Sequence, residues 1–198
     1  NGLGRDLVYL NLYFQGEPYL HPGMDDLVQV GKRAGLYVST STNAHHIDET
    51  RAEKLVKSGI DRLIISIDGA NQEAYSSYRV GGKLEKVLSG TQAVMQAKSK
   101  LGVPTPHVVW QFLVVGTNEH QLDTMKSMAA TFGVDEFVGA TGGDLHVEGA
   151  AQALGHRDGD GAFVAVVHRQ RAEAVCGYSA QGAGTPAERR ACITDDQD

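Results

Sequence analysis

The chain has 198 residues, 41% hydrophobic and 21% charged, with a net charge of -6, a balance that suits one folded domain with a sizeable core. A negative balance without a lysine- or arginine-rich run excludes a general nucleic-acid binder. No apolar span approaches the ~20 residues of a membrane helix and no secretory pattern opens the chain, so it reads as cytoplasmic with no membrane partner, and Cys176 and Cys192 read as free thiols rather than a disulfide or zinc framework.

Leu7 to Phe14, LVYLNLYF, is nearly all apolar and too short for an independent helix, which predicts a strand buried on both faces. Gly16 breaks the run and Pro18 stiffens the exit, so Glu17 stands at the strand's carboxyl end, where a carboxylate would suit a ligand ammonium or serve as an ordinary solvated turn residue. Met24, Leu27, Val28 and Gly31 then share one helical face, with Asp25 and Asp26 in the first turn and Gly35 as the stop. Leu36 to Thr42, LYVSTST, is β-branched and predicts a second strand, released into Asn43-Ala44-His45-His46. Asp48 caps a second helix marked by Ala52, Leu55 and Val56 and stopped by Gly59.

Leu63 to Ile67, LIISI, predicts a third buried strand that runs into the turn signal Asp68-Gly69. A polar loop from Asn71 to Lys83 follows, and then Leu84, Val87, Leu88, Thr91, Val94 and Met95 form an i, i+3, i+4 series that closes at Gly102. Val108 to Val115, VVWQFLVV, predicts a fourth strand leading into Gly116 to His120. A last amphipathic helix from Leu122 to Phe132 ends at Gly133, and Glu136-Phe137-Val138 opens a fifth strand. Strands alternating with helices through short connections imply right-handed crossovers and a parallel α/β sheet, open or closed into part of a barrel. Each polar cluster, Gly16-Glu17, Asn43, Ser66 with Asp68, and Asn118-Glu119, then falls on one carboxyl rim. His45-His46 invites a metal assignment, but adjacent side chains point apart and no carboxylate spacing completes a site.

From Gly139 the texture changes. Lysine is absent after Lys126, and Gly, Ala, Arg and Asp dominate, with one weak strand candidate at Ala162 to Val167. The expected division is therefore a core over 1–138 and an irregular tail over 139–198, either disordered or translated out of frame, adding neither a barrel strand nor a cluster-binding extension.

Five segments in order, QGEPYLHP (Gln15–Pro22), STSTNAHH (Ser39–His46), LIISIDG (Leu63–Gly69), YRVGG (Tyr78–Gly82) and QFLVVGTNEHQ (Gln111–Gln121), resemble the radical S-adenosylmethionine (radical SAM) enzymes, specifically the group with a SPASM-type carboxyl extension. The resemblance runs from about Leu7 to Val138 and implies a TIM-like (β/α)6 barrel of which this chain supplies the second to sixth strands. It also implies that the carbonyl of Gly16 and the carboxylate of Glu17 receive the cofactor's methionine ammonium. Ser66 would hold the methionine carboxylate or ribose, Arg79 would pair with that carboxylate, Asn118 would meet the ribose and Val115 would lie near the adenine, with Asn43 and Asp68 completing the site.

The family's reaction cleaves S-adenosylmethionine reductively to a 5′-deoxyadenosyl radical that abstracts hydrogen from a peptide, protein or small-molecule substrate. It draws an electron from a donor through a 4Fe-4S cluster on a CxxxCxxC loop. This sequence lacks that spacing, since its two cysteines lie in the tail. The resemblance therefore implies an internal fragment, inactive alone, whose cluster ligands lie elsewhere. A cluster-free α/β ligand-binding module and a nonfunctional truncated gene product are the alternatives.

Overall fold

In the computed structural model, which describes residues 7–13, 16–141 and 166–169, strands and helices alternate as the hydrophobic periodicity predicts. The strands are β1 (Leu7–Asn11), β2 (Tyr37–Thr42), β3 (Arg62–Ser66), β4 (His107–Val114), β5 (Glu136–Thr141) and β6 (Val166–Arg169). The helices are α1 (Met24–Arg33), α2 (Glu49–Lys57), α3 (Gln72–Tyr78), α4 (Leu84–Leu101) and α5 (Leu122–Phe132), with short 3-10 turns at Pro18–Leu20 and Glu119–Gln121.

The sheet order is β5-β4-β3-β2-β1-β6, and the first five strands in sequence are parallel neighbours. That order decides between the two parallel-sheet architectures. Right-handed crossovers that always step in the same direction put every connecting helix on the same face, which is the winding of a barrel and not of a doubly wound sheet. The burial agrees. Leu63 and Ile65 of β3, Ile67 just past its end, and Trp110 and Phe112 of β4 are fully buried in one core with Leu55, Val87, Val94 and Met125 from the helices. Residues of the opposite parity make polar contacts across the other face: Tyr9 Oη lies 2.6 Å from Ser39 Oγ, and Glu136 takes both Arg62 (3.2 Å) and His107 (3.0 Å).

Local chemistry explains the element ends. Asp48 Oδ1 accepts from Arg51 N (2.7 Å) at the start of α2, and Asn71 Oδ1 accepts from Ala74 N (2.9 Å) at the start of α3. Gly102 and Gly133 close α4 and α5 in the left-handed conformation. Within α1, Gly31 has no room for a side chain, because a Cβ there would stand 2.8 Å from both Leu10 and Val38.

Three expectations change. The first strand ends at Asn11 instead of Phe14 and is not buried throughout: Val8 is 45% exposed, because the ladder to β2 begins only at Tyr9 opposite Tyr37. The loop Asn71 to Lys83 contains α3, a helix whose single buried residue, Tyr75, leaves no apolar stripe to read. The fifth strand continues past Val138 to Thr141, and β6 overlaps the weak candidate Ala162 to Val167 and pairs antiparallel with the outer edge of β1. Two short segments of the expected irregular tail, 139–141 in β5 and 166–169 in β6, thus lie in the sheet. The rest of 139–198, Cys176 and Cys192 among them, lies outside the described residues.

Candidate cofactor-binding site

Each strand from β1 to β4 ends in a loop on the same rim, and side chains knit those loops together. After β1, Gly16 takes φ +84, a conformation that costs other residues strain, and no atom of the described residues lies within 4 Å of an added Cβ. Glu17 caps the 3-10 turn, its Oε1 accepting from Tyr19 N at 3.1 Å and from Thr42 Oγ1 at 2.6 Å, while Oε2 accepts from Asn43 N at 2.7 Å. The carboxylate therefore holds the exits of β1 and β2 together. An ionised carboxylate offers about four acceptor positions, so this set leaves room for one further donor.

Asn43 turns the chain after β2, its Oδ1 accepting from His45 N at 3.0 Å. His45 Nε2 lies 2.9 Å from Lys83 N, and a backbone N–H can only donate, so Nδ1 carries the ring proton and donates to Asn43 O at 2.9 Å. Both ring nitrogens are thus engaged in tying the β2 exit to the start of α4. No group of three or more His, Cys, Asp or Glu among the described residues is placed to hold a metal ion.

At the β3 exit, Ser66 is 8% exposed and sits opposite Gln111 of β4. Asp68 is 1% exposed, and both its carboxylate oxygens are engaged: Oδ1 accepts from Leu113 N (2.8 Å) and Oδ2 from Arg79 Nε (2.5 Å). Burial alone would lower the Arg79 guanidinium, but the adjacent Asp68 outweighs it and holds the group above its ordinary value. The guanidinium also lies over the Tyr78 ring, 5.5 Å from its centre. Only Nε faces Asp68, and no acceptor among the described residues meets the two Nη groups.

The β4 exit is closed by Asn118. Its Nδ2 donates to Asp68 O (3.0 Å) and Leu113 O (2.9 Å), and its Oδ1 accepts from Val115 N (2.8 Å). At 1% exposure, the side chain shapes the loop that carries Val115, and with both Nδ2 donors engaged the second lone pair of Oδ1 is what remains for a direct ribose contact. Gln121 adds a second tie, its Oε1 accepting from Ala70 N at 2.8 Å.

All eight residues singled out in the sequence, Gly16, Glu17, Asn43, Ser66, Asp68, Arg79, Val115 and Asn118, thus lie at the carboxyl ends of β1 to β4 or in the segments that follow them. Thr42, Tyr19 and Gln121 were missed. Thr42 alone had a local signal, since its Oγ1 also accepts from Ala44 N two residues on (3.0 Å), the habit of a Ser/Thr turn. Together the rim offers a carboxylate with spare acceptor capacity, a guanidinium with unused donors and a strand-end hydroxyl. That set is complementary to a zwitterion, with the acceptor for an ammonium and the donors for a carboxylate.

Fold and rim define a singly wound, barrel-type α/β domain with its polar groups gathered at the strands' carboxyl ends. The family model of the Radical SAM superfamily matches residues 5–129, and the chain belongs to that superfamily. It is 32% identical over 122 residues to the GTP 3',8-cyclase of Hydrogenovibrio crunogenus, covering 61% of this chain and 35% of that protein. It is 29% identical over 133 residues to the PqqA peptide cyclase of Gluconobacter oxydans, covering 65% and 34%. Among solved structures, Streptococcus suis SuiB superposes with a TM-score of 0.54 at 15% identity, over 72% of this chain and 31% of that one, a likeness of fold. The chain spans about a third of the length of the curated relatives it matches. Its two cysteines do not have the spacing of a three-thiolate loop, so its own residues fit the zwitterionic end of S-adenosylmethionine but not the 4Fe-4S cluster.

Proposed function

We propose that the rim holds the methionine end of S-adenosylmethionine, as part of a radical SAM enzyme acting on a peptide, protein or small-molecule substrate. In this family the cofactor supplies the 5′-deoxyadenosyl group that abstracts hydrogen. The residues of this chain bind and orient it. Glu17 and the carbonyl of Gly16 take the ammonium, Arg79 presents its Nη groups to the carboxylate with Asp68 fixing its direction, and Ser66 adds a hydroxyl from the end of β3. Asn43 holds Glu17 through its amide, and Asn118 sets the loop that brings Val115 toward the adenine.

The observation that carries this reading is that Glu17, bonded to the exit of β2, and the Asp68–Arg79 pair, at the exit of the neighbouring β3, stand on the same rim of the sheet, since charge-assisted bonds at fixed positions are the strong ones. For the whole protein we propose a 4Fe-4S cluster on cysteines other than Cys176 and Cys192, an electron donor to reduce it, and a cytoplasmic setting where thiols stay reduced. The SPASM-type resemblance and the peptide cyclase relative lean toward a peptide or protein substrate. The lack of a CxxxCxxC spacing favours, as a second reading, a cluster-free module that binds the same zwitterion without chemistry.

Equilibrium dialysis of the chain with S-adenosylmethionine tests the site. Wild type should bind saturably, and Glu17→Gln, which keeps the shape but removes the charge, should weaken binding by roughly 1.5–3 kcal/mol, the worth of a hydrogen bond to a charged group. Equal affinity in the two proteins would remove Glu17 from the site.

A further inference from the structure

Close in the chain to Glu17, and packed against the turn it caps, three polar atoms are buried without a hydrogen-bond partner among the described residues: Tyr19 Oη, Asp25 Oδ1 and Arg51 Nε. They come from three different elements, the 3-10 turn, the first turn of α1 and the first turn of α2. Arg51 links all three. Its Nη2 donates to His21 O at 2.9 Å, its Nε stands 3.7 Å from Asp25 Oδ2, and its Cζ lies over the Tyr19 ring, 5.4 Å from the centre. Tyr19 is 5% exposed, and the Asp25 and Arg51 side chains 14% and 20%. Buried donors and acceptors left unmade are costly, and three together call for a shared partner such as an ordered water.

The chemistry of the three atoms is matched. Arg51 Nε can only donate and an ionised Asp25 oxygen can only accept, while the Tyr19 hydroxyl does either. One water accepting from Arg51, donating to Asp25 and exchanging a bond with Tyr19 would satisfy them all, within the two to four partners typical of a buried water. Burial, reinforced by Asp25, pushes the Tyr19 hydroxyl well above its ordinary range, so it stays a neutral donor.

We propose that Arg51, acting through this cluster and one ordered water, is a positioning residue for the turn that presents Glu17. The link is short: the backbone N–H of Tyr19 is one of the donors that hold Glu17, and His21 O, gripped by Arg51, ends the same turn. With the turn clamped at its ring and at its last carbonyl, Glu17 keeps one orientation before any ligand arrives, which lowers the ordering cost of binding.

The inference rests on the assignment of Glu17 to the methionine ammonium, and the test separates the two. Arg51→Met keeps the side-chain stem and removes the guanidinium. Amide exchange at Tyr19 should become at least tenfold faster in that variant, while Ile65 in β3 exchanges as in wild type. S-adenosylmethionine should bind about tenfold more weakly, while methylthioadenosine, which lacks the ammonium and carboxylate, should bind as before; Arg51→Lys, with the charge but not the fork, should fall between. Unchanged Tyr19 exchange would overturn the clamp, and an equal loss for both ligands would overturn the positioning role by showing general damage. If Glu17→Gln binds S-adenosylmethionine as wild type does, the site assignment fails and the clamp stands or falls on Tyr19 exchange alone. A high-resolution crystal structure in which the three atoms pair directly would overturn the shared water.

Discussion

Asp68 shows how much of the rim depends on single side chains. Its carboxylate meets Leu113 N and Arg79 Nε, and its own carbonyl receives Asn118. Asp68→Asn keeps the size but puts a neutral group against a guanidinium, and a buried pair broken on one side costs about 3–5 kcal/mol. The Arg79 side chain is 36% exposed, so solvent recovers part of that, and urea denaturation should show a loss of roughly 1–3 kcal/mol. Unchanged stability would mean that the pair does not hold the β3 and β4 exits together. The sequence made Asp68 and Glu17 legible as polar residues after apolar runs. It could not reveal their partners, because Asn118 reaches Asp68 across 50 positions and Thr42 reaches Glu17 across 25, and no local pattern encodes such distances. His45 illustrates the same limit. Two adjacent histidines look like ligands until the fold spends both nitrogens of His45 on backbone atoms.

Helix α4 and its neighbours carry the rim at the next scale. Gly90 lies so close to the β2 exit loop that an added Cβ would stand 2.5 Å from Ala44 O. Gly90→Ala removes an unfavourable helix glycine, worth about 0.5–1 kcal/mol, but overpacking against backbone costs typically 1–3 kcal/mol. A net loss of stability is therefore expected in chemical denaturation, and a gain would contradict the close approach. At the other end of the helix, Lys98 Nζ and Val108 N both donate to Asp135 Oδ2. Burial alone would raise that carboxyl, but the two bonds outweigh it and its folded pKa lies below the ordinary value. A depressed carboxylate contributes stability above its unfolded pKa, near 3.9, and loses it as pH falls through the lower folded value. The stability gap between wild type and Asp135→Asn should accordingly be widest above about pH 4 and close on further acidification; a gap independent of pH would contradict the assignment. Long helices with caps and stripes, such as α4, were legible from periodicity. Helix α3 was not, since seven residues with Tyr75 alone buried carry too little pattern to separate a helix from a polar loop.

Taken whole, the chain reads most clearly where burial is two-sided. The runs LIISI and VVWQFLVV are core strands because their helix-facing residues, Ile65 and Trp110 among them, are excluded from solvent. The first strand misled because apolar content alone does not say where a neighbouring strand begins. The choice between barrel and doubly wound sheet needed the strand order, which lies in pairings between residues far apart in sequence. The β1–β6 pairing was equally hidden, since Val166 to Arg169 acquires its meaning only against the β1 edge. The central claim, that the rim of β1 to β4 receives the methionine end of S-adenosylmethionine, is tested most directly by following backbone amides in an NMR titration with that cofactor. Saturable shifts concentrated at Gly16, Glu17, Ser66, Asp68 and Arg79, with the amides of α5 unmoved, are the expected result. Absence of shifts at saturating cofactor, or shifts centred on the helical outer face near Lys86 and Gln96, would contradict it.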